Sequence, residues 1–306
     1  MARSASSAET AGMAMPGAMP GRRRAAALLG TALLGGCTPL GLLDAMVPRG
    51  SAQADTGIAY GAHPRQRLDL YRPAGGGPWP LVVWFYGGAW RSGDRGDYRF
   101  VAAALAGHGI ATAIPDYRLY PEGAFPTFLE DAAEATAWAG TRAAALGADP
   151  ARVVLAGHSA GAHIALLLAL DARRLARAGW DRRGLAGAIG LAGPYDFLPL
   201  RDPAVQAVFA AADDLRETQP IAFADAGAPP LLLLTGTDDT TVGPGNSDRL
   251  AARARAAGGS AEVRRYPGLA HIGVLTALAP PFRWRAPVLA DMAAFAAAPP
   301  PLPRAG

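Results

Sequence analysis

A serine between two glycines is the feature of this 306-residue sequence that first suggests chemistry. Gly157-His158-Ser159-Ala160-Gly161 follows the apolar residues 153–156 and precedes a second apolar run, so it lies between a predicted strand and a predicted helix. Such a tight turn has no room for side chains at either glycine, and it exposes the serine Oγ near a helix N-terminus, which favours negative charge. The pattern predicts Ser159 as a nucleophile.

A serine hydroxyl needs a base before it can attack, and the sequence offers five histidines. His158 adjoins the serine but is predicted to point to the other side of the turn. His163 lies one helical turn further on and is predicted to pack within the fold. His63 and His108 lie in early connections. His271, in a predicted loop just after the last strand, remains as the candidate base.

A catalytic histidine needs a third group that fixes its tautomer and stabilises its cation. The predicted strand over residues 231–234 ends in Thr235-Gly236-Thr237-Asp238-Asp239. Either aspartate of this loop supplies a carboxylate of the required kind. The sequence therefore predicts a Ser-Asp-His arrangement in which each member follows a strand.

Backbone donors for the oxyanion of a tetrahedral intermediate are also required. One is the N–H of the residue after the nucleophile, here Ala160, and the others come from the loop after an earlier strand. That loop is predicted in Tyr86-Gly87-Gly88-Ala89-Trp90, which ends an apolar run. Glycine lets the backbone approach a substrate closely. We predict that Gly88, Ala89 and Ala160 form the oxyanion hole.

Alternating strands and helices must position these residues. Apolar runs predict strands over residues 68–71, 81–86, 110–115, 152–156, 185–191, 230–235 and 261–266. Helices are predicted over residues 98–107, 127–146, 160–170, 246–257 and 287–297, with Asn246 or Ser247 as an N-cap. The order favours a mostly parallel sheet covered on both faces. Residues 193–229 interrupt this order with several prolines and are predicted to form a cap over the pocket.

Taken together, residues 57–297 resemble the α/β-hydrolase superfamily, whose nucleophile, acid and histidine follow one another in this order. Residues 84–90, WFYGGAW, resemble the His-Gly-Gly-x-Trp signature of its esterase/lipase and arylformamidase-like branch. Residues 68–73 and 116–121 are similar to that branch as well. Acid loops of such enzymes often read G-x-x-D-x-x-V, and Gly236 and Val242 then place the match on Asp239. The resemblance implies a triad of Ser159, Asp239 and His271.

Tyr86 departs from this resemblance, because the family usually has histidine at this position. The family's histidine is thought to brace the loop, and the backbone donors do not depend on it. We therefore expect Tyr86, Gly87 and Trp90 to support the loop, Tyr86 through its hydroxyl or by packing. Trp90, Tyr195, Phe197, Phe282 and Trp284 are candidates for the lining of the pocket.

The resemblance implies a serine hydrolase that cleaves carboxylic esters through an acyl-enzyme intermediate, with a small-molecule ester as its substrate. Two alternatives stay open: an arylformamidase-like amide hydrolase and a non-catalytic hydrolase-fold binding protein. The sequence has no lysine, which excludes a Schiff-base or P-loop lysine. It has no recognisable metal-binding motif, and we expect neither a metal nor a cofactor.

Charge and the N-terminal residues bear on partners and location. Most of the formal net charge of +4 lies in residues 1–36, so the remaining chain gives no electrostatic case for nucleic acid. Residues 22–24 are arginines, and the apolar residues 25–36 lead to the sole cysteine, Cys37. This pattern indicates an export signal too short for a membrane span. Its end resembles the lipobox of bacterial lipoproteins, which implies cleavage before Cys37 and acylation of its thiol.

These features predict a signal peptide over residues 1–36, a tether over residues 37–56, the catalytic domain over residues 57–297 and a Pro-rich tail over residues 298–306. The expected location is the cell envelope or periplasmic face, with a lipid anchor at Cys37. A secreted protein or an uncleaved signal anchor is the alternative.

Overall fold

A mixed sheet organises the residues that the computed structural model describes, 39–48 and 50–300. Its strands are β1 (Gln53–Ala59), β2 (Arg67–Arg72), β3 (Trp79–Phe85), β4 (Ala111–Pro115), β5 (Ala148–His158), β6 (Leu185–Leu191), β7 (Leu231–Gly236) and β8 (Ala261–Tyr266). They lie in the order β1-β2-β4-β3-β5-β6-β7-β8. β2 runs antiparallel to both neighbours, and the strands from β4 to β8 pair in parallel. This is an α/β-hydrolase sheet.

Helices cover both faces of the sheet. They are α1 (Pro39–Ala45), α2 (Arg99–Ala106), α3 (Thr127–Arg142), α4 (Ala160–Leu170), α5 (Ala172–Arg177), α6 (Pro203–Phe209), α7 (Gly245–Ala256), α8 (His271–Thr276) and α9 (Val288–Ala297). α2 and α9 pack together on one face, while α3, α4 and α5 pack together on the other. Every residue of α4 is buried, as its almost wholly apolar sequence predicts, with His163 as the one titratable side chain.

The predicted strands are all present, and β6, β8 and α4 have the predicted bounds. β1 was not predicted because it lies at the edge of the sheet and is almost entirely exposed, so it has no apolar run to mark it. Pairing with β2 holds it in place, across an irregularity between Asp55 and Ile58. There the N–H of Gly57 donates to Asp69 Oδ1 at 2.8 Å.

The prediction of a tether over residues 37–56 is wrong for the described part of that segment. Residues 39–45 form α1, and β1 begins at Gln53. Leu43 and Val47 are buried in the main core, and Asp44 pairs with Arg99 of α2 at 3.0 Å. Apolar residues spaced along one side of α1 dock the helix, so the catalytic unit extends well before residue 57.

The proline-rich insertion lies between β6 and β7 and contains α6 and two 3₁₀ turns, Leu215–Thr218 and Pro220–Phe223. Asn246 fixes its start, because its Oδ1 accepts from the N–H groups of Tyr195 and Asp196 at 3.0 Å. Asn246 is therefore not the predicted N-cap, and neither is Ser247. α7 begins at Gly245 without a side-chain cap.

Several predictions fall on residues outside those described, namely the signal peptide over residues 1–36, Cys37 and the end of the Pro-rich tail. Within the described ranges, none of the helices has both the length and the apolar character needed to cross a membrane.

Candidate active site

Ser159 lies in the sharp turn between β5 and α4. Its φ and ψ angles are 56° and −121°, a strained conformation for a residue with a side chain, and its N–H donates to the Leu191 carbonyl at 2.9 Å. A Cβ at Gly161 would overlap the backbone of Phe85, and one at Gly157 would overlap Gly161 itself. The two glycines therefore allow β3, β5 and α4 to approach closely enough to hold Ser159 at the carboxyl-terminal end of β5.

Ser159, His271 and Asp239 form a continuous hydrogen-bonded chain. Ser159 Oγ donates to His271 Nε2 at 2.9 Å, and His271 Nδ1 donates to Asp239 Oδ2 at 2.8 Å. This direction leaves Nε2 free to accept the serine proton. The arrangement provides the nucleophile, base and orienting carboxylate of acyl transfer.

Asp239 is positioned by its own loop. Its Oδ1 accepts from the N–H groups of Thr241 and Val242 at 2.9 and 2.8 Å, so both carboxylate oxygens have partners although the side chain is buried. Asp238 is exposed and accepts from the Thr237 hydroxyl at 2.8 Å. The structure thus brings Asp239, and not Asp238, to His271. His271 begins the short helix α8 rather than lying in the predicted loop.

The loop after β3 has unusual backbone conformations. Gly88, Ala89 and Trp90 have φ angles of 121°, 51° and 59°, and the last two are costly for residues with side chains. The Gly88 carbonyl accepts from the N–H groups of Arg91 and Ser92, which closes the turn. Within the described chain, no hydrogen bond is donated by the N–H of Gly88 or Ala89. These donors are available for a substrate oxygen.

Ala160 supplies the third predicted donor. It is the first residue of α4, where a backbone N–H has no acceptor inside its own helix. Gly87 lies between this turn and the β3 loop, and a Cβ there would come within 3.1 Å of the Ser159 Cβ. The absence of a side chain at Gly87 lets the two loops meet.

Tyr86 braces the loop both through its hydroxyl and by packing. The fully buried phenol donates to Asp116 Oδ1 at 2.9 Å and accepts from the Arg65 guanidinium at 2.8 Å. Burial raises its pKa well above 10, so the phenol keeps its proton at neutral pH. The ring stacks between Tyr98 and Tyr117, with centroids 5.5 and 4.7 Å away.

Further contacts extend this brace. Tyr117 Oη donates to the Tyr86 carbonyl at 2.9 Å, and Asp116 also pairs with Arg95. Arg95 continues to Asp69 of β2 at 2.8 Å. The roles of Arg65, Asp116 and Arg95 were not predicted, because their shared network joins residues far apart in the chain. The similarity of residues 116–121 to the family was the one available indication.

Trp90 joins the same loop to the insertion. Its Nε1 donates to His163 Nδ1 at 3.3 Å, and His163 Nε2 donates to the Thr218 carbonyl at 2.7 Å. The Trp90 and His163 rings meet edge to face, 5.1 Å apart. Burial lowers the pKa of His163 to about 4, so the ring is neutral. His163 packs within the fold, as predicted.

His158 does not point away from the site as predicted. Its Nε2 donates to the His271 carbonyl at 3.1 Å, and the two rings lie 4.8 Å apart. Burial is the main cause that lowers the pKa of His158 to about 3, and the nearby His271 contributes to the same shift. A neutral His158 thus fixes the backbone of the residue predicted as the base. The prediction failed because the side of the turn on which His158 lies is the side that packs against the His271 backbone.

Two cavities meet at Ser159 and Ala89. The larger, about 560 Å³, is lined in part by Leu40, Tyr98, His158, Ile272 and Leu275. The other, about 500 Å³, is lined in part by Trp90, Phe197, Leu200, Val205 and Val242. Both volumes are of the size that holds a small organic ligand. The nucleophile therefore has largely apolar space in two directions.

Only part of the predicted aromatic lining is present. Trp90 and Phe197 border the second cavity, to which the insertion also contributes Pro194 and residues 198–202. Tyr195 is fully buried in the core, while Phe282 and Trp284 lie outside both linings. Among the described residues, no group of three or more His, Cys, Asp or Glu side chains is arranged to hold a metal ion.

The fold and this site define an α/β-hydrolase of the esterase/lipase class. The BD-FAE family model matches residues 68–253, which is more than half of the sequence. The chain belongs to the BD-FAE family.

Two similar proteins and a similar solved structure support this assignment. Isoprenylcysteine α-carbonyl methylesterase from Arabidopsis thaliana is 30% identical over 243 residues, 72% of this chain and 57% of the relative, so the chain spans little more than half of that protein. The carboxylesterase NlhH from Mycobacterium tuberculosis is 41% identical over 96 residues, 31% of this chain and 30% of the relative. The structure of EstE1, a thermostable carboxylesterase from a metagenomic library, covers 84% of this chain and 94% of its own, with a TM-score of 0.69 and 22% identity. The last of these supports the fold alone.

Proposed function

We propose that this protein hydrolyses carboxylic esters through an acyl-enzyme formed on Ser159. The observation that carries the proposal is the hydrogen-bonded chain from Ser159 through His271 to Asp239, with distances of 2.9 and 2.8 Å. Membership of the BD-FAE family and the esterase names of the relatives support it further.

In the first half-reaction, Ser159 Oγ attacks the carbonyl carbon of the ester while its proton passes to His271 Nε2. Asp239 stabilises the imidazolium through Nδ1. The carbonyl oxygen becomes an oxyanion that accepts hydrogen bonds from the N–H groups of Gly88, Ala89 and Ala160. Collapse of this intermediate expels the alkoxide, which leaves as the alcohol after taking the proton from Nε2.

In the second half-reaction, a water molecule attacks the acyl-serine. His271 Nε2 accepts a proton from the water, and the same backbone donors hold the new oxyanion. The Ser159 Oγ then leaves as it takes back the proton, and the carboxylic acid is released. Both half-reactions need His271 neutral at their start.

The direct test replaces the nucleophile. Ser159→Ala should leave the fold intact and abolish hydrolysis of p-nitrophenyl acetate and butyrate, and it should abolish labelling by a fluorophosphonate probe. Ser51→Ala removes an exposed hydroxyl outside both cavities and should behave as wild type. Wild-type turnover by the Ser159→Ala protein would refute the mechanism.

Substrate class is the next question. The plant relative's name indicates methyl esters, so we include methyl esters of apolar acids among the substrates of this chain. Two largely apolar cavities beside Ser159 are consistent with that choice. A panel of esters with graded acyl and alcohol lengths tests it, and N-formylkynurenine in the same panel separates ester from amide hydrolysis. Preferential hydrolysis of the amide would overturn the ester proposal.

A lipid anchor at Cys37 is part of the proposal, with a place in the cell envelope. The arginines 22–24, the apolar residues 25–36 and the lipobox-like end support it. Intact-mass analysis should find a mature chain that starts at diacylglyceryl-modified Cys37. A Cys37→Ser protein that remained equally membrane-bound would count against lipidation.

A further inference from the structure

Helix α1 is apolar on the side that faces solvent as well as on the side that faces the core. Leu43 and Val47 are buried, but Leu42 and Met46 are 59% and 58% exposed. Leu42 lies in α1 and Met46 lies in the turn that directly follows it. Two large exposed apolar side chains, one on a short helix and one in the turn after it, present surface that is suited to a second apolar phase.

Further exposed apolar side chains lie at the larger cavity and near α8. Leu40 of α1 and Ile272 of α8 line that cavity together, and Ile272 is 51% exposed. The 3₁₀ turn Pro280–Arg285 lies beside α8, because the Arg285 guanidinium is 3.5 Å from the Gly268 carbonyl. Trp284 in this turn is 82% exposed. We call Leu40, Leu42, Met46, Ile272 and Trp284 the α1–α8 rim.

The composition of the rim indicates what covers it. Exposed aliphatic side chains together with an exposed tryptophan that has arginines on both sides in sequence are typical of surfaces that rest in the lipid headgroup region. Cys37 precedes Leu40 by three residues, a span of at most about 11 Å. An acyl chain on Cys37 would therefore hold the rim against a bilayer.

We propose that the α1–α8 rim docks on a lipid bilayer and turns the larger cavity toward the lipid. The docking itself depends on the rim. Its consequence, that ester substrates enter Ser159's cavity from the lipid phase, rests on the proposed ester hydrolysis. The two claims are separable by experiment.

Docking is tested with the full chain reconstituted on phosphatidylethanolamine and phosphatidylglycerol vesicles, with or without brominated acyl chains. Bromine quenches tryptophan on contact, so wild-type emission should fall in brominated vesicles. The Trp284→Phe protein should lack that fall. If wild-type emission is unchanged while the protein still floats with the vesicles, the chain is tethered but the rim is not docked, and the proposal is overturned.

Substrate delivery is tested by the double variant Leu42→Asp/Met46→Asp. The rate on a long-chain p-nitrophenyl ester dissolved in the vesicles should fall by about tenfold or more, since each side chain gives up a lipid contact. The rate on soluble p-nitrophenyl acetate should not change. Leu215→Asp is the matched control, because Leu215 is 38% exposed on a turn whose Glu217 pairs with Arg173 of α5, on the other face of the sheet. Its rates should equal those of wild type.

The remaining outcomes are equally decisive. An equal fall on both substrates would show that the double variant disturbs the site, and it would contradict a docking role. A wild-type dimer that the double variant converts to a monomer in light scattering would show that a second copy covers the rim, and it would overturn the proposal. If the wild-type protein hydrolysed neither ester, the proposed function would be refuted. The quenching experiment would still test whether the rim docks on the bilayer.

Discussion

At the residue scale, Tyr86 shows how a changed side chain can preserve a loop. Its hydroxyl reaches Asp116 and Arg65 at 2.9 and 2.8 Å, and its ring packs between two other tyrosines. The residue that differs from the family pattern therefore supports the predicted oxyanion loop through both hydrogen bonds and ring packing. Its influence on turnover would be indirect, because the side chain lines neither cavity.

Tyr86→Phe should lower kcat more than it changes KM. The variant leaves the buried Asp116 carboxylate and the half-buried Arg65 guanidinium short of one partner, which costs about 1–3 kcal/mol of stability, and it loosens the donors of the oxyanion. Steady-state kinetics on p-nitrophenyl butyrate and urea unfolding check the two effects. Tyr60→Phe is the control, since Tyr60 Oη donates to the Asp116 carbonyl at 2.5 Å without touching the loop. Equal kcat in the two variants would contradict a positioning role for Tyr86.

The adjacent aspartates provide a second comparison. Asp239→Asn removes the acceptor that fixes the His271 tautomer, and kcat should fall on the order of 10⁴-fold. Asp238→Asn changes an exposed side chain with one hydroxyl donor, so kcat should remain near wild type. Kinetics of the pair on one aryl ester measure both values. A larger loss in the Asp238 variant would reverse the assignment.

At the element scale, α1 and β1 are the parts of the folded unit that the sequence did not reveal. Long apolar runs marked the buried strands, and glycines around Ser159 marked the turn that they surround. α1 is only seven residues long and follows an apolar segment with another predicted purpose, so its inward-facing residues were not recognised as core. β1 was missed because it is an exposed edge strand with no apolar run in its sequence. It is held in place by pairing with β2.

Docking of α1 has a measurable energy. Leu43→Ala should lower the free energy of unfolding by about 2–4 kcal/mol, because it opens a cavity under the helix. Leu42→Ala, at the exposed neighbouring position, should change it by less than about 0.5 kcal/mol. Urea unfolding of the two variants in detergent gives the comparison. Equal effects would mean that α1 is not docked as described.

At the scale of the whole molecule, the candidate triad was predictable because each member belongs to a short motif beside a strong strand. The supporting contacts were not, because they join distant residues: Arg65 to Tyr86, Trp90 to His163, and His158 to the His271 backbone. Two of these contacts use histidines that burial keeps neutral. The stability of the fold is therefore expected to depend on pH.

Acid should destabilise the fold partly through His163. Its pKa is about 4 in the folded protein and about 6.5 when unfolded, so between these values the unfolded chain binds a proton that the folded chain does not. Stability therefore falls as pH falls, by up to about 1.4 kcal/mol per pH unit from this group. His163→Gln keeps an acceptor for Trp90 and a donor for Thr218, and it should flatten the dependence. Urea unfolding from pH 7 to 4 measures it, with exposed His108→Gln as control. Identical slopes in both variants would refute the role of His163.

The two cavities that share Ser159 have a consequence for the order in which products depart. In the proposed mechanism, if each cavity holds one half of the ester, departure of the alcohol empties one cavity while the acyl group still occupies the other. An added short alcohol can enter the vacated space and compete with water for the acyl-serine. The ratio of the transfer rate to the hydrolysis rate then depends on the shape of the vacated cavity. A structural feature of the fold can therefore be measured in a kinetic experiment.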